Sequence, residues 1–286
     1  MLPQTITILT ITFNSFKYIE RCYNSILNQT YKNWHWLIID DGSTDNSKVI
    51  IDSFSDSRIK YYCLDKNYGR GYARNFALSK VTTLYIAILD MDDFMLSSRL
   101  EHFICAISSG YDGLVSPVIL IDSDYNVSGV RGIHKFGNHF EFAHASLCIK
   151  ANILKNILYS EFRHAEDQHV LLSLSKLQNI LVSSVPLYVY HECATINLKS
   201  ALFSKYYSLI LFFQYLLRGK GNTNIYLIVK IFASMIKALI LGIIFYLPFR
   251  EYLYRLIVNQ RRKTIPHQFD HYPEILYFKR KYSLAK

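Results

Sequence analysis

Four short apolar runs alternate with segments of helical spacing in the first third of the chain, and that alternation restricts the fold more than any other feature. The runs are Thr5–Ile11, Trp34–Ile39, Ile59–Leu64 and Leu84–Leu89. Between the first two, Phe16, Ile19, Tyr23, Ile26 and Leu27 recur at roughly helical spacing. After the second, Ser43 or Thr44 is placed to cap a helix. After the third, a glycine-containing turn at Asn67 leads into a helix reaching Ser79. Strand, helix and strand in repetition predict an α/β fold, with a mostly parallel, Rossmann-like sheet flanked by helices. Val115–Ile121 and Leu181–Tyr190 read as further strands, and Asp122–His139 as a loop bordering a site. Glu166-Asp167 stands at the front of a helical pattern with Val170, Leu171, Leu174 and Leu177.

Ligands of such sheets bind beyond the carboxyl ends of the strands. Polar clusters fall there: Thr12-Phe13-Asn14, Asp40-Asp41 and Asp90-Met91-Asp92-Asp93. A strand alternates its faces, so Asp90 and Asp92 can point the same way. Two carboxylates side by side repel unless a cation lies between them, and hard oxygen ligands suit Mg²⁺ or Mn²⁺. An acid at the Asp40-Asp41 strand end can accept hydrogen bonds from a base or from ribose hydroxyls, and Gly42 permits close backbone approach. In Asn67–Asn75, Arg70 and Arg74 can meet phosphate by forked hydrogen bonding. Each cluster alone also reads as a turn, a helix cap or a solvated helix face.

These clusters, in this order, resemble the family 2 glycosyltransferases with a GT-A fold. The resemblance covers roughly residues 4–197 and rests on Thr5–Asn14, Ile38–Asp45, Asn67–Asn75, Leu89–Asp93 and Glu166-Asp167. It implies donor contacts from Thr12, Asn14, Asp40, Asp41, Asn67, Arg74 and Asp90. It also implies a metal, Mn²⁺ or Mg²⁺, held by Asp90 and Asp92, with Asp93 as a further candidate ligand and His191 beside the metal or the diphosphate. Asp167 matches the catalytic base of an inverting transfer from a nucleotide-diphospho-sugar, a UDP-sugar being favoured. Ile11 and Phe13 depart mildly from the family's first motif, and no QxxRW element is present, which argues against processive synthesis. A nucleotidyltransferase would need a glycine-rich basic loop that Thr10–Lys17 lacks. A binding protein without catalysis would not require Asp90, Asp92 and Asp167 together.

Composition enters through the C-terminal part. The chain of 286 residues is 51% hydrophobic and only 19% charged, with a formal net charge of +10. Ile225–Phe249 is almost continuously apolar, broken by Lys230, Ser234 and Lys237, which share one face of a helix. Arg255, Arg261, Arg262, Lys263, Lys279, Arg280 and Lys281 follow it, a placement that fits an anionic headgroup surface better than nucleic acid. A lysine at the centre of a bilayer costs roughly 2.5–3.5 kcal/mol, so a helix lying in the interface is favoured over a spanning or a core helix. Expected, then, are a GT-A catalytic domain over 1–198 and a helical, membrane-associated region over 199–286. The enzyme is placed peripherally at the cytoplasmic face of the inner (plasma) membrane, with a glycan or lipid-linked acceptor. Cys22, Cys63, Cys105, Cys148 and Cys193 are scattered without a CxxC pair, in keeping with a reducing compartment, and the N-terminus reads as a strand rather than a signal peptide.

Overall fold

A computed structural model describes residues 4–136, 139–160, 166–174, 179–192, 202–210, 225–245 and 272–282. In chain order these form β1 (Ile6–Thr12), α1 (Ile19–Leu27), β2 (Trp34–Asp40), α2 (Ser47–Asp52), β3 (Ile59–Cys63), α3 (Arg70–Lys80), β4 (Tyr85–Ile88), β5 (Phe94–Met95), α4 (Arg99–Ser108), β6 (Gly113–Val115) and β7 (Val118–Ile121). Then come β8 (Val127–Arg131), β9 (His134–Phe136), β10 (His139–Glu141), β11 (Cys148–Lys150), α5 (Ala151–Ile157), α6 (Gln168–Leu174), β12 (Ile180–Val182) and β13 (Tyr188–His191). The helices Ile225–Phe245 and Pro273–Tyr282 follow.

The main sheet has seven strands in the order β12-β6-β11-β4-β1-β2-β3. β1 runs parallel to β2 and β4, β2 to β3 and β6 to β12, whereas β11 is antiparallel to both its neighbours. Helices cover both faces, which is why the strands read as nearly unbroken apolar runs. On one face Ile6, Ile8, Trp34, Trp36 and Ile38 pack with Ile19, Cys22 and Ile26 of α1 and Phe103 of α4. On the other, Leu9, Leu37, Ile39, Ile86 and Ile88 meet Ala73 and Ala77 of α3, Leu154 of α5 and Val170 of α6. Each such fully buried aliphatic side chain contributes about 1.5–3 kcal/mol relative to exposure.

Several expectations are corrected. Val115–Ile121 and Leu181–Tyr190 are not single strands. The first breaks at Ser116-Pro117 into β6 and β7, the second around Pro186 into β12 and β13. Proline cannot donate to a ladder. At each break the chain leaves the main sheet for a second one of order β5-β13-β7-β8. Asp122–His139 holds β8 and β9 and the start of β10 rather than a plain loop. The helix after β2 starts at Ser47 with Asn46 as its N-cap, so neither Ser43 nor Thr44 caps it. Asp90 and Asp92 lie beyond β4, in a turn closed by the Asp93 N–H to the Asp90 carbonyl at 3.1 Å. Their common side follows from the turn, not from strand alternation. Leu177, residues 193–201 around the expected domain boundary, and the basic residues from Arg250 to Lys263 lie outside the described residues.

The helix Ile225–Phe245 carries apolar side chains on its buried and on its exposed side. Ile231, Ser234, Leu241 and Ile244 are buried, while Val229, Phe232, Met235, Ile236, Leu239 and Ile243 are exposed. Among the described residues no helix is long and apolar enough to cross a membrane. The helix Pro273–Tyr282 lies on the second sheet. Its Ile275 and Phe278 join a core with Phe94, Ile119, Ile121, Tyr125 and Val189. Glu274 accepts the N–H and hydroxyl of Ser97, at 3.1 and 2.5 Å, and Asn24 donates to the Tyr282 hydroxyl at 2.8 Å. Lys279 donates to Asn126 at 2.7 Å.

Candidate active site

Thr12 and Asp40 are register partners at the carboxyl ends of β1 and β2, and the Asp41 N–H donates to the Thr12 carbonyl at 2.8 Å. Asn14, at φ 50°, accepts the Thr44 N–H on Oδ1, and its own N–H donates to Ser43 Oγ, both at 2.8 Å. Asp40 takes the Ser43 N–H and the Tyr61 hydroxyl, both at 2.7 Å. Asp41 takes the N–H groups of Tyr68 and Gly69, both at 2.8 Å. Gly69 is the N-cap of α3, so Asp41 fixes the start of the helix that carries Arg70 and Arg74. Gly42, at φ +78°, lies so close to Lys66 that a Cβ would stand 2.5 Å from its carbonyl carbon. The same contact sets Asn67 beside the Asp41 loop. These polar strand ends are therefore held by one another. The Thr12 hydroxyl is buried without a hydrogen-bond partner among the described residues.

The Asp90–Asp93 turn follows the end of β4. Two buried arginines without any sequence signature stand beside it, Arg99 against the strand that leads into it and Arg21 against the turn itself. Arg99 donates to the carbonyls of Ile88 and Ala145, both at 2.9 Å. Arg21, caged by the rings of Tyr18, Phe94 and Tyr125, donates to the Asp92 carbonyl and to the Tyr125 hydroxyl. Asp93, 1% exposed, accepts the Tyr188 hydroxyl and the His191 N–H, each at 2.8 Å. Each of its oxygens thus accepts one bond from β13. The His191 ring packs against those of Tyr18 and Tyr125.

Burial and then neighbouring Asp90 push the Asp92 carboxyl up to about 6. The hard carboxylate oxygen atoms of Asp90 and Asp92 fit a divalent cation. Among the described residues no group of three or more His, Cys, Asp or Glu side chains is gathered for a metal, so His191 does not complete a set with Asp90 and Asp92. An ion there would need diphosphate or water oxygens to fill its shell.

Arg74, fully buried with Tyr159 over its guanidinium at 5.4 Å, links the parts. Its Nη1 donates to Glu166 Oε1 at 2.5 Å and its Nη2 to Asp90 Oδ1 at 3.3 Å. Burial opposes its charge, but Asp90 and Glu166 outweigh burial and its pKa is raised. Arg70 adds a second grip on Glu166, Nε to Oε1 at 3.0 Å. Asp167 is next in the chain, and burial and then Glu166 raise its carboxyl above the usual range. Arg74 thus joins Asp90 to Glu166, the neighbour of Asp167, and Asp41 is tied to this group through the start of α3.

The model of glycosyl transferase family 2 matches residues 7–158. A teichoic acid poly(glycerol phosphate) polymerase of Staphylococcus epidermidis is 35% identical over 116 residues, 40% of this chain but only 16% of its own length. The Escherichia coli WfgD, a UDP-Glc:alpha-D-GlcNAc-diphosphoundecaprenol beta-1,3-glucosyltransferase, is 29% identical over 180 residues, 61% of this chain and 71% of that protein. The structure of Staphylococcus aureus TarS residues 1–349 with UDP-GlcNAc superposes with a TM-score of 0.61 at 18% identity, covering 81% of this chain and 71% of that one. The fold is that of the GT-A enzymes, and with a family match extending over more than half of its length, the chain belongs to glycosyl transferase family 2.

Proposed function

We propose that the protein transfers a sugar, with inversion, from a nucleotide-diphospho-sugar to an acceptor hydroxyl. The observation that carries this is the single guanidinium of Arg74 joining Asp90 to Glu166. It ties the donor-side carboxylate to the pair that includes Asp167. Asp167 takes the proton of the acceptor hydroxyl as the acceptor oxygen bonds to the anomeric carbon, and the bond from that carbon to the diphosphate breaks on the opposite side. A carboxylate with a raised pKa suits this task, since a base works best when its pKa lies nearer the operating pH. Asp90 and Asp92 would hold Mn²⁺ or Mg²⁺, which when bound neutralises charge on the departing diphosphate. Thr12, Asn14, Asp40, Asp41, Asn67 and Arg74 line the donor side.

The names of the relatives support the finer choices. TarS was captured with UDP-GlcNAc, which favours a uridine donor. WfgD acts on a diphosphoundecaprenol-linked sugar, which favours a lipid-linked acceptor in the assembly of a surface polysaccharide. The outward apolar face of Ile225–Phe245 and the basic residues after it support a peripheral seat on anionic lipid at the cytoplasmic face of the plasma membrane.

The test is a panel of nucleotide-sugars incubated with purified protein, Mn²⁺ and a lipid-diphosphate-linked sugar, comparing wild type with Asp167→Asn. Turnover of one donor by the wild type alone is expected. Donor binding without turnover would leave a binding protein, and no interaction with any donor would overturn the reading. Flotation with phosphatidylcholine vesicles, with and without phosphatidylglycerol, tests the membrane seat. Failure to float with either composition removes it.

A further inference from the structure

The base-bearing segment is gripped by one face of α3. Residues 70, 71, 74 and 75 lie on that face, one helical turn apart. Asn75 holds Tyr159 in both directions, Nδ2 to the Tyr159 carbonyl at 3.0 Å and Oδ1 to its N–H at 2.8 Å. Gly71 sits against the next residue so closely that a Cβ would stand 2.0 Å from the Ser160 carbonyl oxygen. Arg70 and Arg74 take Glu166 where the described chain resumes. The same helix is anchored at its N-terminus by Asp41 and touches Asp90 through Arg74. The Arg74 and Glu166 side chains are 4% and 2% exposed. A buried ion pair of this kind is a poor stabilising device compared with apolar packing. What it supplies is direction: a planar fork fixes two carboxylates relative to each other.

We propose that Glu166, clamped by Arg70 and Arg74, is a positioning residue for Asp167, and that Arg74 couples the placement of this base to the donor-side carboxylate Asp90. This rests on the glycosyltransferase reading above. Asp167 is adjacent to Glu166 and opens α6, the Leu171 N–H donating to its carbonyl at 2.9 Å. Fixing the Glu166 carboxylate therefore fixes the entry of that helix. Because the other prong of Arg74 reaches Asp90, a donor or cation that draws on Asp90 also acts on the pair that orients the base. Asn75 and Gly71 hold the nearer end of the same segment, so that α3 serves as the common frame for donor and base.

The experiment compares Glu166→Gln, Glu166→Asp and Asp167→Asn with wild type for donor KM, transfer kcat and the pH profile of kcat/KM. Glu166→Gln keeps the shape but removes the charge that helps raise Asp167. Its kcat should fall by between about tenfold and a hundredfold, the size expected of a displaced reacting group, with donor KM held within about twofold. Its acid limb should move to lower pH, a shift that a merely structural role would not give. Glu166→Asp keeps the charge but shortens the reach, so kcat should fall while the acid limb stays. If Glu166→Gln folds and retains both wild-type kcat and acid limb, the proposal is overturned. If it does not fold, Glu166→Asp decides, and wild-type kcat there overturns it equally. Full transfer by Asp167→Asn would instead remove the base itself, a failure of the underlying reading that these measurements tell apart.

Discussion

The Tyr188 hydroxyl donates to Asp93 Oδ2 at 2.8 Å and accepts the backbone N–H of Asp90 at 3.1 Å. One side chain of β13 thus ties both ends of the acidic turn. Tyr188→Phe would leave a buried carboxylate oxygen and a backbone donor without this partner. The expected loss is about 1–3 kcal/mol of stability, read from urea denaturation. Donor KM should rise as well, because the turn that carries Asp90 and Asp92 is no longer pinned.

Asp167→Asn removes the proposed base without changing its shape. Transfer kcat should fall by about 10²–10⁴-fold, equivalent to roughly 3–5 kcal/mol of barrier, with donor binding by calorimetry little changed. A helix-terminus role alone would be worth only about 0.3–1 kcal/mol. In the wild type the base must be ionised to act, and its pKa is raised by burial and then by Glu166. Activity should therefore be lost, as pH falls, at a pH above the ordinary carboxylate range.

Asp92→Asn should separate stability from function. The folded-state pKa of Asp92 is raised to about 6, so the stability it lends in its protonated form is lost as pH rises through that value. Metal-free Asp92→Asn at pH 8 should melt higher than wild type, by an amount equivalent to about 1–3 kcal/mol. Mn²⁺ should raise the wild-type melting temperature and have little effect on the variant, and chelation should abolish wild-type transfer. A lower melting temperature for the metal-free variant would contradict this account.

Gly71→Ala reverses the usual sign of its substitution. Within a helix alanine is favoured over glycine by about 1 kcal/mol, but here the new methyl would enter the Ser160 carbonyl. Thermal melts should show a destabilised protein, and transfer should be weakened more than donor binding.

The sequence made the sheet and its acidic rim legible because both are local. An apolar run followed by Asp40-Asp41 or Asp90–Asp93 needs no distant partner to be noticed. The two strand breaks are marked by Pro117 and Pro186, but the apolar runs continue past them and mask the signal. The arginines that brace the acidic turn carry no such mark. Arg21 lies on α1 and Arg99 on α4, each on a helix whose other inward residues are mostly apolar. Glu166 was legible as half of a motif, but its clamp spans 92 residues to Arg74 and has no periodic signature. The docked C-terminal helix was obscured by its charge, since Lys279, Arg280 and Lys281 read as lipid contacts while Ile275 and Phe278 between them fill a core.

That helix has a practical consequence. A polypeptide cut at residue 198 would keep every side chain assigned to the reaction, yet it would uncover Phe94, Ile119, Ile121 and Val189, which Ile275 and Phe278 otherwise shield. Efforts to prepare a minimal active fragment should therefore retain the helix Pro273–Tyr282, or supply it in trans as a peptide.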